Sequence, residues 1–330
     1  MPGLYWQGRK RSLYMNRAVN FEQLAEMART VLSGRKPPRI AVCAAADKSS
    51  IVAMAEAERA GLASPILIGD KKEIVRLAAE NHIYASSFEI IDVAGAAETA
   101  QAGVALIKAG KADILMKGMI PTSTFLHPIF RHENGLLTGN FVSHVGVLEV
   151  AELGRFVLQT DGGLNISPTL EMKKGIIKNA VFVAHLLGIE RPKVALLSAT
   201  EKVHSKIKST VEARDLAAWA KEEVADADVD GPMALDIALS KEAAARKGVS
   251  GAVAGNADIL VAPDIESGNI LYKSLRIFGH AHGAGIVVGA ACPVMLTSRS
   301  DSPSEKLNSL ALAALYAGKI TEAGYRVKKS

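Results

Sequence analysis

Aromatic residues make up only 5% of this 330-residue chain, and there are just two cysteines. Cys43 and Cys292 lie far apart, each in an apolar run, which excludes a disulfide framework and leaves no zinc-ligand spacing. Of the eight histidines only His280 and His282 lie close together, and no carboxylate or thiol joins them at ligand spacing, so no metal is expected. No apolar run is long enough to cross a bilayer. Residues 1–17 are basic but lead into no apolar stretch of the kind a signal peptide needs. The expectation is a soluble, cytoplasmic protein.

Other absences narrow the chemistry. The first strand runs into CAAADKSS, which contains no glycine, so the G-x-G-x-x-G fingerprint of dinucleotide binding is missing. The P-loop spacing and the G-x-S-x-G of serine hydrolases are missing too. The net charge of +5 comes from the ends: without Arg9, Lys10, Arg11, Arg17, Arg326, Lys328 and Lys329 the remainder carries −2. No central basic stripe therefore points to nucleic acid.

What is present is regular alternation. Helical spacing covers 21–32, 49–60, 71–80 and 96–108, and strand-like runs cover 39–45, 66–69, 88–93 and 112–116. That order predicts βαβ units and a parallel sheet. Runs at 141–150 and 155–159 are close enough for an antiparallel pair. Further helices are expected at 169–187, 207–221 and 233–246, with a strand at 194–198 between the first two. The chain is long enough for two α/β domains, expected at 18–150 plus 290–330 and at 151–289, with 1–17 as a basic extension.

The most informative stretch is 257–305. Asp258–Ala262 reads as a buried strand, and Asp264 as the cap of a helix whose apolar residues Ile265, Ile270, Leu271, Leu275 and Phe278 recur three to five apart. Two more apolar runs end at Thr297, Ser298 and Arg299. Polar residues just past a buried strand of an α/β protein usually line its ligand crevice. Ser302-Pro303-Ser304-Glu305 follows as a capping box, with proline in the first helical position. Arg299 is either a surface loop residue or, beside that helix start, an anion ligand. Glu305 is either a cap alone or a cap with a chemical role.

Two more polar islands follow strands. In TDGGLNISP, Asp161 and Asn165 either fix the turn or reach a substrate. In KGMIPTSTFLHPIFR, Lys117 follows a strand, Thr122, Ser123 and Thr124 crowd a helix start, and His127 and Arg131 are spaced to share one helix face.

These islands, together with VDGPMALDIAL and VAGNADILVAPDIESGNILYK, resemble the phosphate acetyltransferases and phosphate butyryltransferases over roughly residues 20–325. TDGGLN and VDGPMALD look more like the butyryltransferase branch. The resemblance implies two α/β domains of the isopropylmalate-dehydrogenase type with parallel or mixed sheets, an active cleft between them, and a homodimer. It implies the reaction acyl-CoA + phosphate ⇌ acyl phosphate + CoA, with coenzyme A as substrate and no tightly bound cofactor, metal, nucleic acid or membrane. Position by position, its catalytic serine–arginine pair falls on Ser298 and Arg299, and its acidic residue on Glu305, where the acetyltransferases carry aspartate. Their glycine after the pair is Ser300 here. Their leucine-arginine-proline is Leu126-His127-Pro128, which makes His127 and Arg131 the candidates for that contact. Asp264, Asn269 and Lys273 join the implied substrate-binding set. Two other readings are a metal- and NAD-dependent decarboxylating dehydrogenase on the same fold, which requires an aspartate cluster not visible here, and a non-catalytic acyl-CoA-binding module, which has no use for a base.

Overall fold

A computed structural model describes residues 17–131, 135–298 and 301–322. The chain is an α/β protein with a mixed sheet flanked by helices, and it divides into two compact units. Among the described residues the first unit holds 21–140 and 284–322, and the second holds 17–20 and 141–283.

The first unit begins with α1 (Phe21–Leu32), β1 (Arg39–Cys43), α2 (Lys48–Arg59), β2 (Ser64–Gly69) and α3 (Lys71–Glu80). It continues with β3 (Glu89–Asp92), α4 (Ala96–Lys108), β4 (Ile114–Lys117) and α5 (Thr122–Ile129). The second unit contains β5 (Ser143–Val150), β6 (Arg155–Thr160), α6 (Leu170–Leu186), β7 (Lys193–Leu197) and α7 (Lys208–Glu223). It is completed by β8 (Asp228–Met233), α8 (Leu235–Leu239), α9 (Lys241–Arg246), β9 (Ile259–Val261) and α10 (Ile265–Ile277). The chain ends in β10 (His282–Val288), β11 (Val294–Met295) and α11 (Pro303–Glu322).

In the first unit the strands run β3-β2-β1-β4-β11-β10, all parallel except the β10–β11 pair. Ile40–Cys43, Ile66–Ile68 and Ile114–Met116 are fully buried, as strands covered on both faces must be. In the second unit the order is β5-β6-β9-β7-β8, with β5 antiparallel to β6 and the rest parallel.

One expectation needs correction, and two features were not legible. The expected single helix over 233–246 is two short ones, because Ser240 sits in extended backbone and caps the second by accepting from Ala243 N. Ahead of it, DVDGPM forms β8, at the edge of its sheet order, where a proline is tolerated because one side of the ladder goes unpaired. The apolar spacing of α10 does not mark a buried face: Ile270 and Phe278 are exposed, and Gly268 is its buried residue. No helix among the described residues is long and apolar enough to cross a membrane.

Candidate functional site

Parallel register decides which polar residues meet. In the first unit Cys43 pairs with Lys117, and Met116 with Met295, so the carboxyl ends of β1, β4 and β11 lie side by side. Lys117, 4% exposed, donates to the Ile120 carbonyl at 3.2 Å, and its own carbonyl accepts from Thr297 Oγ1 at 2.5 Å. Gly118 is needed beside it, because a Cβ there would lie 2.4 Å from the Ala44 carbonyl oxygen. Ser298 follows Thr297 and is exposed, and its N–H donates to Asp301 Oδ2 at 2.7 Å. Arg299 and Ser300 lie outside the described residues.

The capping box forms as expected. Glu305 Oε2 accepts from Ser302 N at 2.8 Å, and Ser302 Oγ accepts from Glu305 N at 3.3 Å. The next residue, Lys306, is 2% exposed and donates to Ser50 Oγ at 3.0 Å and toward Asp47 Oδ1 at 3.4 Å. Asp47 caps α2 by accepting from Ser50 N. Burial pushes its carboxyl up, but the bonds from Ser49 and Ser50 and the Lys306 charge outweigh that and hold it below its ordinary value. Lys306, Asp47 and Asp301 were not singled out from sequence. Lys306 had a legible signal: it precedes Leu310, Ala313 and Ala317 at spacings of four, three and four, on the face that α11 buries.

The hydroxyl-rich island opens α5 after Pro121, and no side chain caps the helix, which leaves its first amides available to an anion. Ser123, Thr124 and His127 line a cavity of about 320 Å³ with Ala97 and Gln101 of α4. Thr122 is exposed at the helix start. Arg131 does not share a helix face with His127. The helix stops at Ile129, with Phe130 capping it by donating to the Leu126 carbonyl, so Arg131 lies past its end and its carbonyl accepts from Gly135 N.

In the second unit Thr160 pairs with Val261, placing the ends of β6 and β9 together. Asp161, 2% exposed, takes four bonds: from Gly163 N and Leu164 N on Oδ1, and from His144 N and Asn165 Nδ2 on Oδ2. The Asx-type turn is therefore what Asp161 and Asn165 build. Replacing Asp161 with alanine strips four donors of their acceptor and should cost about 3 kcal/mol, or roughly 4 °C in melting temperature for a chain of this length. A shift under about 2 °C in a melting curve would show that those donors find other partners.

Asp264 caps α10, accepting from Ser267 N at 2.9 Å and Ser267 Oγ at 2.7 Å. Burial pushes its carboxyl up, and the Ser267 bonds with the Lys173 charge more than reverse it. Asn269 Nδ2 donates to the Gly162 carbonyl at 3.0 Å, tying α10 to the loop. The contact is close because Gly268 lacks a side chain, and a Cβ there would sit 2.6 Å from the Asp161 carbonyl. Lys273 is exposed one turn further along the helix. Beneath this loop Gln159 is fully buried, with neither amide atom hydrogen-bonded. Both thiols, Cys43 and Cys292, are buried and pushed up by desolvation, which makes them inert. Among the described residues no group of three or more His, Cys, Asp or Glu is placed to hold a metal ion.

Residues 96–314 match the family model described as phosphate acetyl/butaryl transferase. The chain belongs to this family. It is 43% identical to a phosphate butyryltransferase of Clostridium acetobutylicum, over 87% of this chain and 96% of the relative. It is 41% identical to a phosphate acetyltransferase of Rhizobium meliloti, over 83% and 87% respectively. Among solved structures, a branched-chain phosphotransacylase from Enterococcus faecalis V583 superposes with a TM-score of 0.76 at 36% identity, covering 85% of this chain and 99% of that one.

Proposed function

We propose that this chain transfers a short-chain acyl group between CoA and inorganic phosphate. The convergence that carries it is the one at the ends of β4 and β11, where Ser298 stands one residue past the Thr297–Lys117 bond and a helix opens at Pro303 with Glu305 in its first turn. In the direction of thioester synthesis the CoA sulfur attacks the acyl carbonyl carbon. The bond from that carbon to the phosphate oxygen breaks, and the thiol proton passes to Glu305. Ser298 donates to the carbonyl oxygen as it gains charge, and Arg299 holds the departing phosphate. An ordinary thiol and an ordinary glutamate differ by about four pKa units, so full transfer before attack costs about 6 kcal/mol. Proton loss in concert with attack lowers that cost.

Lys117 and the open amides of α5 favour the phosphate end of the substrates. Ser123 and His127, facing their shared cavity, are assigned to CoA. Asp161 and Asn165 shape the loop that Asn269 grips, with Asp264 fixing the start of α10 and Lys273 and Arg131 supplying peripheral positive charge. Incubation with acetyl-, propionyl-, butyryl- or isobutyryl-CoA tests the assignment. Thiol should appear only when phosphate is present, and release indifferent to phosphate would contradict it.

Two buried free cysteines suit a reducing cytoplasm. The homodimer is supported by α10 and the residue that caps its end, which expose Ile270, Ile277 and Phe278 at 66%, 64% and 81%. Large apolar side chains at this spacing on one helix are costly to leave in water. Phe278→Asp should convert a dimer to a monomer in sedimentation or sizing experiments. A wild-type monomer, or a variant that stays dimeric, would show that α10 is not the interface.

A further inference from the structure

The amino ends of the second unit's strands carry a charge arrangement that the acyl transfer does not use. Arg155 opens β6, Lys193 opens β7, and Asp258 immediately precedes β9. Asp258 is the hub: its Oδ1 pairs with Arg17 Nη2 at 2.8 Å and Arg155 Nη1 at 3.4 Å, while Oδ2 accepts from Lys193 N at 3.0 Å. One carboxylate therefore serves two guanidiniums. Together with Lys241, at the start of α9, and Glu152, these residues line a cavity of about 430 Å³. Neither the Lys193 nor the Lys241 ammonium has a carboxylate within ion-pair distance among the described residues. Four cations then face two carboxylates, an excess of two positive charges.

We propose that this cavity is a binding site for a polyphosphate anion, separate from the site of acyl transfer. Its size falls within the range of small-molecule pockets and exceeds what one phosphate would fill. Arg155 is held by Asp258 and by the Phe156 and Ala257 carbonyls and contributes charge, while Arg17 and the two ammonium groups are placed to reach phosphate oxygens along the chain. Leu153 and Leu239 provide an apolar wall that would suit a nucleobase. The burial of Arg155, reinforced by the neighbouring Arg17 charge, lowers its pKa despite Asp258, and a second anion nearby favours its charged form. Asp161 and Asp264 lie beyond the opposite, carboxyl ends of β6 and β9, and the loop that Asp161 builds contributes nothing to the lining of this cavity.

Isothermal titration calorimetry on the full chain tests this with sodium triphosphate and, separately, ATP. Saturating CoA is present and phosphate absent, so that a nucleotide cannot report from the CoA site. Saturable binding of triphosphate is expected, and comparable binding of ATP would place recognition in the phosphate chain, whereas tighter ATP binding would add the nucleobase. The double variant Lys193→Ala/Lys241→Ala keeps the Asp258 hub and should weaken both by about tenfold or more while melting like the parent protein. Absence of saturable binding by either anion would overturn the proposal. So would unchanged affinity in the folded double variant, or displacement of both anions as CoA is raised. Binding is read without turnover, so its outcome is independent of the acyl-transfer reaction.

Discussion

Arg299→Ala should lower turnover by about a hundredfold or more, the usual loss when a donor aimed at developing charge is removed. The residues flanking it explain why the fold should survive. Ser298 N donates to Asp301 Oδ2, and Asp301 N donates to the Ser298 carbonyl, so the residues on either side are tied by groups the substitution does not touch. The Michaelis constant for phosphate should rise alongside. Arg299→Lys restores charge but not the planar fork, and should recover only part of the lost rate. Steady-state kinetics on the two variants, with matched melting curves, check this. An unchanged rate in Arg299→Ala would mean that the essential cation lies elsewhere, with buried Lys117 the first alternative.

Glu305 presents the second large effect, and its geometry makes the experiment clean. The carboxylate accepts from Ser302 N and Ser302 Oγ on a single oxygen, Oε2. Glutamine keeps an oxygen that can accept the same bond, so Glu305→Gln should change stability little. If the carboxylate receives the thiol proton, the rate should fall by about a hundredfold or more. Glu305→Asp places the acetyltransferase residue here and should retain measurable activity, reduced by its shorter reach. A glutamine variant as fast as the parent would leave Glu305 as a cap only.

How far the sequence carried depends on where the signal resides. The helices at 21–32, 71–80 and 96–108 could be read to the residue because their apolar spacing and their ends agree with their packing. β8 could not, since Asp228, Asp230, Gly231 and Pro232 contradict strand propensity and only an edge position accommodates them. On α10 the spacing of Ile270 and Phe278 was legible, but spacing alone does not distinguish packing within the chain from packing against a partner. The strand-end islands stood out because polarity abruptly follows a buried run. That Lys117 and Thr297 would bond to each other required the register of β4 against β11, which joins residues 180 apart in sequence. The spacing of Lys306 ahead of Leu310, Ala313 and Ala317 marks it as facing inward, but not what receives its charge. Only the packing of α11 against α2 shows that Asp47 and Ser50 hold it.

The central claim is that one acyl group moves intact from sulfur to phosphate. Stoichiometry tests it most directly: purified protein, butyryl-CoA and phosphate, with free CoA measured by thiol titration and acyl phosphate trapped as its hydroxamate. Equal amounts of CoA and acyl phosphate are expected at every early time point, with the reverse reaction consuming them equally. CoA appearing with free carboxylic acid, and no acyl phosphate, would contradict the account and make the chain a thioesterase.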